Sequence, residues 1–146
     1  MKILLCVDGS KDSNQAISKA KELGILEGNE ITVFNVISDE RLSSNSAYNN
    51  YYTELLTDYN IKESKEILRE SKEKLEDSKA LKIETEYTIG NPSKKIVEYQ
   101  KENDIDLIII GSRGLGAFSR TLLGSVSSKV SNKATCSVLV IKFNRE

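Results

Sequence analysis

Ile105-Asp106-Leu107-Ile108-Ile109-Ile110-Gly111-Ser112-Arg113-Gly114 is the stretch from which the rest of the chain can be read. The run from Ile105 to Ile110, apolar but for Asp106, suits a buried strand, and it stops at a glycine. Gly114 is followed, after nine residues, by Gly124 and Ser125, giving the spacing G-x2-G-x9-G-S, and Val126 to Ala134 then reads as a helix. Strand, glycine loop and helix in that order form an anion site, because glycine allows close backbone approach and a helix N-terminus offers unpaired N–H groups. The same glycines could equally make plain turns, Gly111 ending a strand and Gly124 opening a helix with no ligand present.

Outward from this stretch, strand-like and helix-like segments alternate. Ile3 to Val7 is continuously apolar, and Asp12 to Leu23 then places Ala16, Ile17, Ala20 and Leu23 at helical spacing, with Gly24 as a stop. Glu30 to Ile37 reads as a second strand. Ser43 to Tyr52 is rich in Ser, Asn and Tyr without a period, so a mobile loop is expected there, with Tyr48, Tyr51 and Tyr52 free to cover a ligand, meet a partner or pack the loop. In the long helix that follows, Ile61, Leu68 and Leu75 recur every seven residues with Ser64, Ser71 and Ser78 between them. That narrow stripe is too short for a coiled coil and predicts a helix lying over a sheet with a solvated outer face. Lys82 to Ile89 alternates apolar and polar residues, as a strand near a sheet edge does. Gly90-Asn91-Pro92 makes a turn into a helix packed through Ile96, Val97 and Tyr99, and Ser137 to Lys142 supplies a fifth strand.

Five strands interleaved with four helices imply a single α/β domain over residues 1–146, a mostly parallel, doubly wound sheet with helices on both faces. Ligands of such sheets sit beyond the carboxyl ends of the strands, where strand order reverses. Asp8 closes the first strand and Gly111 the fourth. If those strands are neighbours, the two residues flank one crevice.

Composition narrows the chemistry. The chain has 146 residues, enough to bury a proper core, and a net charge of -1 with both signs intermixed, so no electrostatic footprint for nucleic acid or an anionic membrane is present. Histidine is absent altogether, which excludes Ser-His-Asp and Cys-His hydrolysis and His-ligated zinc. Cys6 and Cys136 have no metal-ligand spacing and read as buried thiols of a reducing compartment. The apolar run at the N-terminus is cut off by Asp8, too short for a signal peptide, and no run could span a bilayer, so a cytoplasmic protein is expected. Other phosphate motifs fail. Gly116 is followed by Ala117 and Phe118 where a Walker A loop needs Lys and Ser or Thr, Gly114-Leu115-Gly116 lies after the wrong strand for a dinucleotide fingerprint, and no S-G-G-x-D-S pattern follows the first strand.

Val7-Asp8-Gly9-Ser10, Gly90-Asn91-Pro92, Asp106 to Gly114, the glycine spacing and the closing Val138-Leu139-Val140-Ile141 together resemble the universal stress protein family along the whole chain. The glycine spacing resembles the signature of the family's ATP-binding members, and every signature position is kept. The resemblance implies an adenine nucleotide alpha hydrolase-like fold with strand order 3-2-1-4-5. It further implies that Val7 and Val36 line the adenine pocket, Val36 through its backbone, and that Asp8 meets the ribose or a phosphate-bound Mg2+ or Mn2+. Gly111 would lie under the ribose, while Gly114, Gly124, Ser125 and Val126 would hold the phosphates of ATP, ADP or AMP. Arg113 adds a cation placed to meet a triphosphate. Asp8 could also sit in a plain turn, and Ser10 reads as a helix cap.

The leading expectation is therefore a cytoplasmic ATP-binding stress or regulatory module with slow or no hydrolysis, since no dedicated base is visible. The alternatives are an interaction protein of the same fold with an empty crevice and, more weakly, an enzyme acting on a nucleotide. Ser137 to Lys142 is apolar on both faces yet falls at a sheet edge, so a homodimer pairing along that strand is expected.

Overall fold

The structure is a computed structural model that describes residues 1–40, 50–114 and 123–142. Five strands, β1 (Lys2–Cys6), β2 (Glu30–Ser38), β3 (Lys82–Gly90), β4 (Leu107–Gly111) and β5 (Ser137–Ile141), form one parallel sheet in the order β3-β2-β1-β4-β5. Helices α1 (Lys11–Glu22), α2 (Asn50–Lys74), α3 (Pro92–Glu102) and α4 (Ser125–Lys133) fill the connections. The expected doubly wound sheet is present, and strand order reverses between β1 and β4.

The two faces carry separate cores. Ile3, Leu5, Val33 and Ile109 point toward Ala16, Ile17 and Ala20 of α1 and Leu68 of α2, whereas Leu4, Phe34, Ile108 and Ile110 point toward Ile96 of α3 and Val130 of α4. Alternate strand residues thus serve opposite faces, which is why β1 and β4 read as unbroken apolar runs. Each such side chain contributes roughly 1.5–3 kcal/mol on burial. α2 lies over the sheet as its stripe required: Leu68, Ser64 and Ser71 are buried, and the charged residues between them face out.

Boundaries shift where hydrogen bonding, rather than hydrophobicity, decides. β1 ends at Cys6, one residue before the apolar run does, although Val7 N–H still reaches Phe34 O at 2.9 Å. β4 begins at Leu107, because Asp104, at φ 52°, turns the chain out of α3 and Ile105 N–H is spent on Gln100 O at 3.0 Å. The loop expected over Ser43 to Tyr52 is corrected at its end. Asn50, Tyr51 and Tyr52 are helical, the first residues of α2, while residues 43–49, Tyr48 among them, lie outside the described ones. Tyr51 and Tyr52 are 64% and 60% exposed, so packing imposed no period on the start of this helix. β3 occupies the expected edge, with Ile83 and Tyr87 half-buried and Thr85 and Ile89 exposed, because only α2 covers that side. Of the two thiols, Cys6 is buried, but Cys136 is only half-buried; both are free. None of the described helices is long and apolar enough to cross a membrane.

Candidate functional site

At the carboxyl ends of the strands, across the point where strand order reverses, lies a cleft of about 860 Å³, within the usual size range of small-molecule sites. Among the described residues, it is lined by each of the nine expected site residues: Val7, Asp8, Val36, Gly111, Arg113, Gly114, Gly124, Ser125 and Val126. The crevice anticipated between Asp8 and Gly111 is therefore real, since β1 and β4 are hydrogen-bonded neighbours.

Asp8 leaves β1 in a turn that its own carboxylate helps to close. Oδ1 accepts from Ser10 N–H at 2.9 Å, and Asp8 N–H donates to Ser13 Oγ at 3.1 Å. Ser10 caps α1 by accepting from Ser13 N–H at 3.2 Å, as expected of it. Oδ2 of Asp8 occupies the space that a side chain at Gly114 would need. First strand and glycine loop thus meet at a carboxylate.

The loop's two ends are pinned together. Ser112 O accepts from Gly124 N–H at 2.5 Å and from Ser127 Oγ at 2.8 Å, while Ser112 N–H donates to Ile141 O at 2.8 Å. At Gly111, a Cβ would stand 3.0 Å from the backbone of Asp12, so this glycine lets β4 run close under the first turn of α1. At Gly124, a Cβ would stand 3.2 Å from Ser112 O. Turn-making and close packing account for Gly111 and Gly124 before any ligand is considered; among the described residues, a Cβ at Gly114 would meet only the Asp8 carboxylate.

The helix that follows is uncapped. Gly124 is the N-cap of α4 and offers no side-chain acceptor to the first N–H groups of Ser125, Val126 and Ser127. Arg113, whose Cα lies against Gly124, has its Nη1 buried without a hydrogen-bond partner among the described residues. A buried donor left unmade costs about 1–3 kcal/mol, and more when charged. Open N–H groups, a helix dipole of roughly half a positive charge and an unsatisfied guanidinium N–H all ask for the same thing, an anion with several oxygens.

The other end of the cleft is apolar. Cys6, Phe34, Ile96 and Ile110 belong to the core between the sheet and α3 and α4, with Val36 and Val126 packed against it, and all six also line the cleft. The cleft's floor is the open top of this core, an apolar surface that can take an apolar group. Burial is the main reason the Cys6 thiol is pushed far above its ordinary range, with Asp8 adding to it, so Cys6 is present as the neutral thiol. Sequence reasoning missed Cys6, Phe34, Ile96 and Ile110. A signal existed for Cys6 and Ile110, which directly precede Val7 and Gly111 at the carboxyl ends of β1 and β4; none marked Phe34 in β2 or Ile96 in α3.

The backbone of β2 completes the site. Phe34 O accepts from Val7 N–H, which turns the peptide groups of Phe34, and two residues on those of Val36, toward β1. β1 has stopped by then, the ladder ending at the Cys6–Phe34 pair. Val36 N–H and C=O therefore face the cleft. Among the described residues, no three acidic or cysteine side chains gather as a metal cluster.

The whole chain has close relatives in sequence and shape. It matches the model of the universal stress protein family over residues 1–142. Universal stress protein YxiE of Bacillus subtilis (strain 168) is 32% identical over 146 residues, covering 97% of this chain and 98% of that one. The solved structure of hypothetical protein MJ0577 superposes with a TM-score of 0.86 at 28% identity, over 99% of this chain and 97% of the other. At the level of fold alone, the Arabidopsis thaliana family protein At3g01520 with AMP bound has a TM-score of 0.70 at 20% identity, over 99% and 92% of the two chains. With sheet order, signature spacing and a match along nearly its full length in agreement, the chain belongs to the universal stress protein family and has its adenine nucleotide alpha hydrolase-like fold.

Proposed function

We propose that this protein binds an adenine nucleotide, ATP with Mg2+ or Mn2+, in the cleft between β1 and β4, and serves as a cytoplasmic regulatory or stress-response module. One observation carries the reading: the uncapped start of α4 lies against Arg113, whose buried Nη1 has no partner among the described residues. The phosphates would accept from the N–H groups of Ser125 and Val126, from the Ser125 hydroxyl and from Arg113, with Gly114 and Gly124 leaving them room. The base would rest on Cys6, Val7, Ile110 and Val126, its polar edge on the Val36 backbone, and the ribose above Gly111. AMP bound to a protein of the same fold supports an adenine ligand. A metal would be held by Asp8 together with phosphate oxygens and water, the usual arrangement for a hard cation that keeps most of its hydration. With Asp8 engaged in this way it is not available to orient a water, so hydrolysis is slow or absent.

The test is direct. Protein purified from cells and heat-denatured is expected to release an adenine nucleotide into the supernatant, and nucleotide-free protein to take up Mg-ATP with a Kd on the order of micromolar by calorimetry. Protein that releases none and also binds no added ATP overturns the reading and leaves an interaction module of the same fold.

The protein acts as a homodimer through β5. That strand is the sheet edge beyond β4, and Val138, Leu139 and Val140 remain half-buried in one chain, an association hazard unless covered. Light scattering at micromolar concentration is expected to give twice the chain mass; a monomer contradicts the pairing.

A further inference from the structure

We propose that Asn35 and Ser64 are positioning residues that end the β1–β2 ladder one rung early and so keep the Val36 N–H open to the base. The inference rests on the nucleotide reading above and concerns residues that touch the base only through the backbone they hold.

Asn35 is an anomaly in its strand. Ile31, Val33 and Ile37, its neighbours on the same face of β2, are buried and apolar, and Asn35 among them is only 5% exposed. Burying an amide there costs free energy unless both of its ends are used. Both are. Asn35 Nδ2 donates to Val7 O at 2.7 Å, and Asn35 Oδ1 accepts from Ser64 Oγ of α2 at 2.6 Å. The orientation of the amide follows from chemistry, because Val7 O can only accept and must face the NH2 end.

Val7 O is the telling partner. In a parallel ladder, a residue that donates to one position of its neighbour accepts from the position two further on. Val7 N–H donates to Phe34 O, so the next rung would run from Val36 N–H to Val7 O. That rung is not made, and the pairing stops at Cys6 and Phe34. Asn35 supplies the donor instead. A side-chain N–H stands in for a main-chain one, Val7 O is satisfied, and Val36 N–H is released to the cleft at the place where a base edge needs a donor. Ser64, 2% exposed, holds the amide from the far side and ties this arrangement to α2.

The experiment follows Val36 by amide exchange in 15N-labelled protein and measures Mg-ATP affinity beside it. In nucleotide-free wild type, the Val36 N–H is expected to exchange much faster than those of Val33 and Phe34, and to become protected when Mg-ATP saturates the cleft. In Asn35→Val, the donor is lost, Val7 O takes the Val36 N–H, and protection appears without nucleotide, with Mg-ATP bound about tenfold more weakly. Ser64→Ala is expected to weaken binding about threefold and Ser64→Thr, which keeps the hydroxyl, not at all. A folded Asn35→Val with wild-type affinity, or a Val36 N–H already protected in nucleotide-free wild type, overturns the proposal. Should Asn35→Val fail to fold, Ser64→Ala decides, and unchanged affinity with unchanged Val36 exchange overturns it. If the wild type binds neither ATP nor AMP, the nucleotide reading fails, while the ladder-ending role of Asn35 still stands or falls by Val36 exchange in the variant.

Discussion

Three helices begin at the rim of the cleft, and they begin differently. α1 is capped by Ser10, whose oxygen accepts from Ser13 N–H, and α3 by Asn91, whose oxygen accepts from Lys94 N–H, whereas α4 starts from a bare glycine with no side-chain cap. A cap contributes about 1 kcal/mol, so a helix without one forgoes that stability or has its N–H groups met from outside the chain. The capped starts are finished by their own sequence. The bare one also has the unpartnered Arg113 Nη1 and the Asp8 carboxylate beside it. Two regions with similar backbone geometry thus differ in whether the chain completes them, and the unfinished one is where the proposed phosphates would supply the missing acceptors.

The most severe way to break the comparison is to fill the unfinished start. In Gly114→Val, a branched Cβ would collide with Asp8 Oδ2, and the carboxylate would have to move out of the cleft. In Gly124→Val, the side chain would press on Ser112 O, 3.2 Å from the new Cβ, and cover the first N–H groups of α4. Both variants are expected to lose ATP affinity by about 100-fold or more in calorimetric titration, the loss of two or more charge-assisted hydrogen bonds, with far-UV circular dichroism unchanged. Retained affinity in Gly124→Val would show that the bare start is not the anion site.

Arg113→Ala sharpens the same contrast through two effects of opposite sign. Without nucleotide, the substitution removes a buried donor that has no partner, so stability should hold or rise by about 1 kcal/mol in chemical denaturation. With nucleotide, it removes a cation, so affinity should fall about tenfold for ATP and far less for AMP, which has fewer charges to meet. A residue that merely packed would show neither the stability gain nor the dependence on phosphate number.

Much of this was legible in the sequence because the same residues had to satisfy two demands at once. β1 and β4 announced themselves as apolar runs since both faces of a central strand are buried, and Lys82 to Ile89 announced an edge by alternating, its apolar face being only partly covered. The glycine spacing and Asp8 placed the cleft, and all nine expected site residues line it. Less legible was whatever depends on the path of the backbone. The start of α2 was hidden because Tyr51 and Tyr52 are largely exposed, so burial imposes no helical period there. Ser112 and Ser127, which pin the loop, are small polar residues with no pattern of their own. Asn35 stands where an apolar residue was due in its strand, and its reason is a carbonyl left over at Val7, visible only once the ladder is seen to stop.

The smallest effect tests the other side of the comparison. If the capped helix starts are complete in themselves, removing a cap should cost stability and leave the ligand untouched. Asn91 Oδ1 accepts from Lys94 N–H at 3.1 Å and from Ser93 Oγ at 2.9 Å, so Asn91→Ala leaves the first turn of α3 without its acceptor. The expected cost is about 1 kcal/mol, a fall in Tm of roughly 2–4 °C for a chain of this length, with ATP affinity changed by less than about twofold. A shift of that size in Tm with no shift in Kd would place the anion at one helix start only. A comparable loss of affinity would mean that the α3 dipole, too, acts on the ligand, and that the division between finished and unfinished starts is drawn in the wrong place.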